Sequence, residues 1–379
     1  MRFDLSETQQ LLKSSARQFL TAECPMAEVR RLMETEVAYD PGLWARMAEQ
    51  GWTGIHFSDA SEGQGMGLVE VAALMEEMGR ALLPGPYLST VLLAGTLLEA
   101  AGTAEQKQKY LVPIANGQAR ATLALLESSA SWQQDAVRLQ ARREGSVYKL
   151  DGTKLFVPDA SVSDFILCAA RLGQELALFM TERGNTGVGV KPQPAIDSTR
   201  RLDEVNFVAA EVPPEDVIAT GERARAALEY TLDVATVGLV AEMVGGMQKV
   251  LETSVDYAKT RKQFGKPIGQ FQAIQNYCAD MLVWTESARS AAYYAAWALT
   301  EQAPEAKSAV SVAKAYASDA CREVGNRGIQ IHGGMGFTWE NDLHLYYRRA
   351  KASEIAFGDA AFHRERIARL VIDRAAPTR

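Results

Sequence analysis

One stretch of the chain, from residue 222 to about residue 261, constrains the fold more than any other. It contains no proline, and its only glycines are Gly238, Gly245 and Gly246. At about 1.5 Å per residue, a helix of this order would extend roughly 60 Å. Further helical stretches follow at 271–300, 304–327 and 360–374. These patterns predict that the last part of the chain, residues 221–379, forms a four-helix bundle.

The first part of the chain, residues 1–116, also has helical periodicity. Ser6 offers a helix cap just before an apolar face. The residues of that face are spaced three and four apart, namely Leu11, Leu12, Ala16 and Phe19. A second amphipathic run covers 69–82, and the Pro84-Gly-Pro86 segment ends it. We therefore predict an N-terminal helical domain over residues 1–116.

Between these helical parts, residues 117–220 change to the periodicity of β-strands. Residues 147–157 alternate around Asp151-Gly152, a pair that often forms a hairpin turn. Shorter strand-like runs lie at 165–170, 176–180 and 187–190. This pattern predicts a middle antiparallel β-domain. The predicted fold class is α+β, mainly α, in the order helical domain, β-domain and four-helix bundle.

Composition argues against several classes of protein. The chain has 379 residues and a net charge of -7, and interspersed charges favour neither nucleic acid nor an anionic membrane as a partner. We expect no membrane span, because no run of about 18 apolar residues occurs. The four cysteines lie far apart with no histidine cluster, so we expect no metal site. The default expectation is a cytoplasmic protein.

Two segments in the last third of the chain carry the functional signal. Residues 261–272 have the sequence RKQFGKPIGQFQ, and residues 330–337 have the sequence QIHGGMGF. The guanidinium of Arg261 is a rigid fork of donors that matches phosphate oxygens. The Gly333-Gly334 pair would let backbone amides approach a charged ligand. On its own, each feature has another interpretation, a solvated charge at a helix end or a plain turn.

At their spacing, the two segments resemble the flavin-binding segments of the acyl-CoA dehydrogenase family. The resemblance covers essentially the whole chain, and residues 102–111 are similar to the family's N-terminal helix junction. It implies an FAD-dependent enzyme that removes the α-proton of an acyl-CoA substrate while hydride leaves the β-carbon. Electrons would then pass to an electron-transfer flavoprotein. The resemblance also implies a homo- or heterotetramer.

The same resemblance assigns cofactor contacts to residues of both segments. The assigned residues are Arg261, Phe264, Gln272, Gln330, Gly333 and Gly334. The arginine would meet the FAD pyrophosphate, and the phenylalanine and the first glutamine would line the same cofactor. The other three would approach the adenosine end. In the family, these contacts reach the flavin of a neighbouring subunit.

Several positions depart from the family's pattern. Phe357 stands where most members carry the catalytic glutamate, and Ala235 stands where a minority carry it. A β-domain triplet that contacts the flavin, Trp-x-Thr, is here Phe156-Val-Pro158. Phe156 could still stack on the flavin, whereas Pro158 cannot donate a hydrogen bond. The loop 126–133 also differs, so flavin binding by the chain's own β-domain is in question.

The missing glutamate leaves the catalytic base open. Glu242 lies seven residues beyond Ala235, two turns along nearly the same apolar face of the predicted helix. A carboxylate in an apolar stripe is costly unless it is paired or used. Glu242 is therefore a substitute base, a structural partner of an arginine, or a charge at the edge of the bundle. Asp359, another carboxylate near the position of the missing glutamate, is explained as a helix cap before Ala360.

Three functions fit these features. The chain could be an active dehydrogenase with Glu242 as its base, or a binding or scaffold protein of dehydrogenase fold. It could also be one subunit of a heteromeric enzyme, as the family's bacterial pairs of unequal subunits imply, some of which act on steroid side-chain thioesters. We favour the heteromer, because Arg261 and the 330–336 segment keep the family's residues while the chain's own site is altered.

Overall fold

The computed structural model describes residues 4–372, and the first third of the chain is helical. Ser6 caps the first helix as predicted. Its Oγ accepts a hydrogen bond from the Gln9 N–H at 3.2 Å, and the Gln9 side chain accepts one from the Ser6 N–H at 2.8 Å. The helices here are α1 Glu7–Glu23, α2 Met26–Met33, α3 Pro41–Glu49, α4 Leu68–Ala81, α5 Thr96–Ala101, α6 Ala104–Gln106 and α7 Val112–Ala115. The π-helical turns Leu88–Gly95 and Lys107–Leu111 precede α5 and α7.

The buried face of α1 differs from the predicted one. Ala16 and Leu20 are buried, and Phe19 packs edge-on against Trp52 with ring centroids 4.9 Å apart. Leu11, however, is 68% exposed, so the predicted face is wrong at that position. Leu12, the next residue, packs against the core, so Leu11 lies on the solvent side of the helix.

A mixed sheet forms the middle of the chain. Its strands are β1 Ala121–Ala124, β2 Gln140–Glu144, β3 Val147–Pro158, β4 Phe165–Leu172, β5 Glu175–Glu182, β6 Val188–Gln193, β7 Leu202–Val212 and β8 Val217–Thr220. Their spatial order is β6-β7-β3-β2-β4-β5-β8, with β1 beside β4. Most neighbours are antiparallel, as predicted, but β4 is parallel to both β1 and β2. The sheet has its own core of buried side chains, which includes Leu150, Phe179 and Phe207.

The predicted hairpin turn at Asp151-Gly152 is wrong. Strand β3 continues through both residues, and its pairing with β7 shifts register between Leu150 and Gly152. Asp151 Oδ1 accepts a hydrogen bond from the Ala209 N–H at 2.8 Å, and Gly152 has a φ of 142°. The pair therefore forms a bulge. The turn lies earlier, between β2 and β3, where Gly145 has a φ of 61°.

The C-terminal part is the predicted helical bundle with an additional helix. Its helices are α8 Gly221–Thr260, α9 Gln272–Thr300, α10 Ala306–His332, α11 Leu343–Ile355 and α12 Ala360–Ile367. Helices α8, α9 and α10 pack on one another, and α11 and α12 pack on α10. Sequence periodicity does not predict α11. The predicted helix 360–374 ends at Ile367 and continues as a π-helical turn to Ile372, and its last two positions lie outside the described residues.

Helices α4 and α8 touch backbone to backbone at two glycines. A Cβ at Gly79 would lie 2.0 Å from the Glu242 carbonyl oxygen. A Cβ at Gly245 would lie 1.8 Å from the Glu76 carbonyl oxygen. A larger residue at either position would push the helices apart. This contact fixes the N-terminal helices against the bundle.

Helix α8 is the one helix of residues 4–372 that is long and apolar enough to span a membrane. Of its most apolar 18-residue window, 83% is buried inside the protein. Packing in the core therefore accounts for its hydrophobicity.

Candidate functional site

The two predicted cofactor segments meet at one end of the bundle. Tyr257, in the last turn of α8, stacks on His332 at the end of α10, with ring centroids 4.3 Å apart and planes at 24°. Arg261 follows one turn later, and its N–H donates to the Tyr257 carbonyl at 2.8 Å. Gly333 and Gly334 follow His332 directly. The ring stack thus brings the arginine and the glycine pair to the same end of the molecule.

The predicted cofactor residues of these segments lie on the surface. All of them are exposed: Arg261, Phe264, Gln272, Gln330, Gly333 and Gly334. The Arg261 guanidinium makes no hydrogen bond or ion pair with any residue from 4 to 372. A Cβ at either glycine would meet nothing within 4 Å, and Gly333 has a φ of 58°. Unpaired donors beside open backbone fit a phosphate-bearing ligand such as FAD.

Phe156 lies apart from these segments, at the end of β3. The residue is 40% exposed and has a φ of 53°, and its N–H donates to Gln193 Oε1 at 2.7 Å. Within the described part of the chain, no hydrogen bond or ring contact joins it to the Arg261 or Gln330 segment. One chain therefore does not bring the two halves of the predicted flavin site into contact.

A pocket of about 490 Å³ lies beside Phe357. Its walls come from the loop between β1 and β2, the first turns of α8, and the segment from Phe357 into the C-terminal turns. The Phe357 ring packs edge-on against Trp132, with centroids 5.1 Å apart and planes at 68°. Phe357 replaces the family's glutamate, and Trp132 belongs to the altered loop 126–133. Two departures from the family's pattern therefore meet in one aromatic contact at this pocket.

The pocket contains a buried carboxylate that sequence analysis missed. Asp233 on α8 makes a two-point contact with Arg366 on α12, with Oδ1 2.5 Å from Nη1 and Oδ2 2.9 Å from Nη2. Burial raises the pKa of Asp233, and Arg366 opposes that shift. Glu229 lies 3.4 Å from Arg366 and 2.8 Å from Lys307. Burial would raise the pKa of Glu229, but the two cations outweigh burial and lower it.

Helical spacing is the sequence signal that could have found this wall of the pocket. Its residues from the second and later turns of α8 recur three and four apart: Glu229, Leu232, Asp233 and Thr236. Ala235, where a minority of the family carries its glutamate, is fully buried and does not line the pocket. The apolar face that contains Ala235 leads to Glu242 and not to Asp233, so that face did not predict Asp233.

Glu242 lies elsewhere, in a closed network of ion pairs. Its Oε1 is 2.5 Å from Arg349 Nη1, and its other oxygen contacts Arg200. Arg349 in turn pairs with Asp197, with Nε and Oδ2 2.5 Å apart. Burial would raise the pKa of Glu242, but Arg200 and Arg349 outweigh burial and lower it. The structural interpretation of Glu242, as a partner of arginine, is what the geometry supports.

The surroundings of Glu242 argue against its use as a base. The residue is 3% exposed and borders a cavity of about 20 Å³, which has room for roughly one water. Phe357 does not line that cavity. The alternative explanation of Asp359 is confirmed, since its Oδ1 caps α12 by accepting a hydrogen bond from the Phe362 N–H at 2.8 Å.

Comparison with known proteins decides the family. The family model for the acyl-CoA dehydrogenase N-terminal domain matches residues 6–118, and the one for the C-terminal domain matches residues 225–372. The chain belongs to the acyl-CoA dehydrogenase family. At the level of the family, the prediction of a flavoprotein oxidoreductase that acts on the CH–CH group of acyl-CoA is confirmed.

Individual relatives of the family match over nearly the full length. The chain is 32% identical over 386 residues to acryloyl-CoA reductase (NADH) of Anaerotignum propionicum, covering 99% of this chain and 97% of that protein. It resembles a chain of the ChsE4–ChsE5 complex from Mycobacterium tuberculosis, with 27% identity, a TM-score of 0.90 and 100% of both chains covered. The FAD complex of PigA matches with 26% identity and a TM-score of 0.91, covering 99% of this chain and 100% of that one.

Proposed function

We propose that the chain is one subunit of a heteromeric, FAD-dependent acyl-CoA dehydrogenase of the cytoplasm. In this proposal, Arg261 and the 330–336 segment bind the flavin of a partner subunit, and the partner carries the catalytic glutamate. The assembly is a heterotetramer that passes electrons to an electron-transfer flavoprotein. The similarity to the ChsE4–ChsE5 complex supports a pairing of two different chains.

One contrast carries the proposal. Arg261 is exposed and unpaired among the described residues, beside the open backbone of Gly333-Gly334. Phe357, at the position of the family's glutamate, is 6% exposed and packed against Trp132. The chain therefore keeps exposed the residues proposed to contact a neighbour's cofactor, and it lacks the usual base in its own pocket.

The residues of this chain have roles that need no base of their own. When bound, FAD would accept a hydride from the β-carbon of the acyl group. The Arg261 guanidinium offers paired N–H donors to a pyrophosphate, and Gly333 lets the ligand approach the backbone. The Phe357 N–H has no acceptor among residues 4–372. It would donate to the carbonyl oxygen of an acyl-CoA thioester bound in this chain's own pocket.

Removal of the α-proton is the step that the chain's own pocket does not support. Phenylalanine has no group that accepts a proton. Asp233 lines the same pocket, but both its oxygens accept hydrogen bonds from Arg366. It could take a proton only if that two-point contact opened. The simpler source of the base is a second polypeptide.

A second candidate function is a homo-oligomeric dehydrogenase that uses Asp233 as its base. One observation favours it: Asp233 lines the Phe357 pocket, and burial raises its pKa toward the range that suits a catalytic carboxylate. In this case Arg366 would move away from Asp233 when the substrate binds.

The test compares the chain purified alone with the chain co-purified with the product of an adjacent dehydrogenase-like gene. Bound FAD per chain is measured, and loss of flavin absorbance is followed after adding a short-chain or a steroid side-chain acyl-CoA. We expect full FAD occupancy and flavin reduction only in the co-purified assembly. Full occupancy and reduction in the lone chain would reject the heteromer, and absence of FAD from both preparations would favour a scaffold.

The second candidate is tested in the same assay with Asp233→Asn. If Asp233 is the base, flavin reduction falls by several orders of magnitude while FAD occupancy stays the same. Glu229→Gln is the matched control, because Glu229 lines the same pocket and contacts the same arginine. Unchanged reduction in Asp233→Asn would remove Asp233 from consideration.

A further inference from the structure

A buried lysine holds the turn that carries Phe357. Lys314 on α10 is 0% exposed, and none of the ion pairs within residues 4–372 includes it. Its Nζ donates to Ser318 Oγ at 3.0 Å, to the Glu354 carbonyl at 2.9 Å and to the Gly358 carbonyl at 2.9 Å. Two of these three acceptors are main-chain carbonyls on either side of Phe357.

The burial of Lys314 without an ion pair requires a physical explanation. Burying an ammonium group without a paired carboxylate is unfavourable. Burial accordingly lowers the pKa of Lys314 to about 8, although Cys321, Asp359 and Glu354 oppose the shift. All three N–H donors of the protonated amine are used. The three hydrogen bonds, rather than a charge pair, are therefore what this lysine contributes.

The segment between its acceptors is an irregular turn. Glu354 lies in the last turn of α11, where carbonyls lack donors from their own helix, and a cation there also offsets the helix dipole. Phe357 and Gly358 have φ values of 59° and 102°. The Phe357 carbonyl accepts a hydrogen bond from His363 Nε2 at 3.1 Å. With these carbonyls engaged, the Phe357 N–H is left without an acceptor in the described structure.

We propose that Lys314 is a positioning residue that fixes this turn so that the Phe357 N–H stays available to the carbonyl oxygen of a bound CoA thioester. The inference rests on the proposed function, because it needs an acyl-CoA in the pocket that Phe357 lines. A hydrogen bond weakens steeply once its angle falls below about 120°. A rotation of the Phe357 peptide beyond that limit removes the interaction and leaves the rest of the pocket intact.

The test uses two ligands that differ only at the carbonyl. One is a saturated acyl-CoA thioester, and the other is the matching alkyl thioether of CoA, which lacks the oxygen. Titration calorimetry on the purified full-length chain gives the ratio of the two dissociation constants. We expect the wild-type chain to prefer the thioester by about tenfold, the upper end of what one net hydrogen bond contributes.

Lys314→Met keeps the length of the side chain and removes its donors. We expect the preference to fall to about one, with thioether affinity changed by less than about twofold. Ser318→Ala is the matched control, since it removes the side-chain acceptor and leaves both carbonyl contacts. It should keep the wild-type preference. If Lys314→Met retains the preference, or weakens both ligands equally, the positioning role is rejected.

A second variant tests the positioning role of Lys314 if Lys314→Met does not fold. Gly358→Ala disturbs the same turn from its other end, because a Cβ there would lie 2.3 Å from Phe362 Cδ1. We expect it to lose the thioester preference too, and retention would overturn the proposal. A wild-type chain that binds both ligands equally rejects this inference alone. A wild-type chain that binds neither rejects the proposed acyl-CoA site, and the inference with it.

Discussion

Two buried carboxylates on α8, Asp233 and Glu242, both pair with arginines but have different surroundings. Each is 3% exposed. Glu242 is engaged by two arginines beside a cavity of about 20 Å³, whereas Asp233 lines a pocket of about 490 Å³. The comparison teaches that burial of a carboxylate does not identify a catalytic group. What distinguishes the two is whether a ligand could reach them.

The largest expected effect is on stability, from Glu242→Gln. Neutralising this residue leaves Arg349 and Arg200 with less compensation in a closed site, so we expect a loss of about 3–5 kcal/mol in the free energy of unfolding. Denaturant unfolding measures it. Glu252→Gln is the control, because Glu252 pairs with Arg80 at a more exposed site, and we expect a loss of at most about 1 kcal/mol there. Equal losses would contradict a closed network at Glu242.

A smaller loss is expected for Asp233→Asn, at most about 1 kcal/mol, because the raised pKa of Asp233 means that folding favours its neutral form. Arg366 keeps its contact with Glu229 and its side chain is 19% exposed, so solvent and the second carboxylate compensate part of the change. The same unfolding experiment measures it. A loss as large as that of Glu242→Gln would contradict the distinction between an ion pair that lines a pocket and one in a closed network.

The two carboxylates should also respond to pH in opposite directions. The pKa of Glu242 is lowered by folding, so its stabilisation is present above its unfolded value near 4.5 and is lost as pH falls further. The pKa of Asp233 is raised, so its contribution is greatest below about 3.8 and is lost as pH rises through the folded value. Unfolding from pH 7 to pH 3.5 measures both.

The stability difference between wild type and Glu242→Gln should therefore shrink toward low pH. The difference between wild type and Asp233→Asn should grow over the same range. Parallel trends in the two variants would show that the two sites do not differ electrostatically in the way described.

The smallest expected effect on stability comes from Arg261→Ala, within about 0.5 kcal/mol. The Arg261 guanidinium has no partner among residues 4–372, so the fold does not depend on it. FAD content of the co-purified assembly should nevertheless fall severalfold. Lys262→Ala, at the exposed neighbouring position, should leave FAD content unchanged. Normal FAD content in Arg261→Ala would reject the proposed cofactor surface.

Local pattern was enough to predict the longest helices, whereas the two proposed cofactor segments came from the resemblance to the family. Ser6 and the periodicity of α1, α4 and α8 are properties of neighbouring residues, and the structure confirms those elements. Helix α11 was missed because polar residues occupy part of its buried face, including His344 and Arg349. A search for apolar periodicity does not recognise a helix whose buried face is partly polar.

The wrong hairpin turn in the sheet and the unpredicted ion-pair partners of Glu242 have a different cause. Asp151-Gly152 has the same local signature in a turn and in a bulge, and only pairing with β7 decides between them. Likewise, the partners of Glu242 lie 42 and 107 residues away, at Arg200 and Arg349. Contacts at such separations depend on the whole fold, so spacing along the sequence could not predict them.

The glycine contact between α4 and α8 has a consequence for how the protein is made. Gly79 leaves the ribosome long before Gly245, with the entire sheet of the chain between them. Until α8 is synthesised, the surface of α4 around Gly79 lacks the α8 backbone that it contacts in the folded protein. Joining such distant segments carries a large loop-closure entropy, which slows folding. Until that contact forms, the nascent N-terminal helices expose surface that the folded protein buries, and such surface makes folding intermediates prone to aggregation.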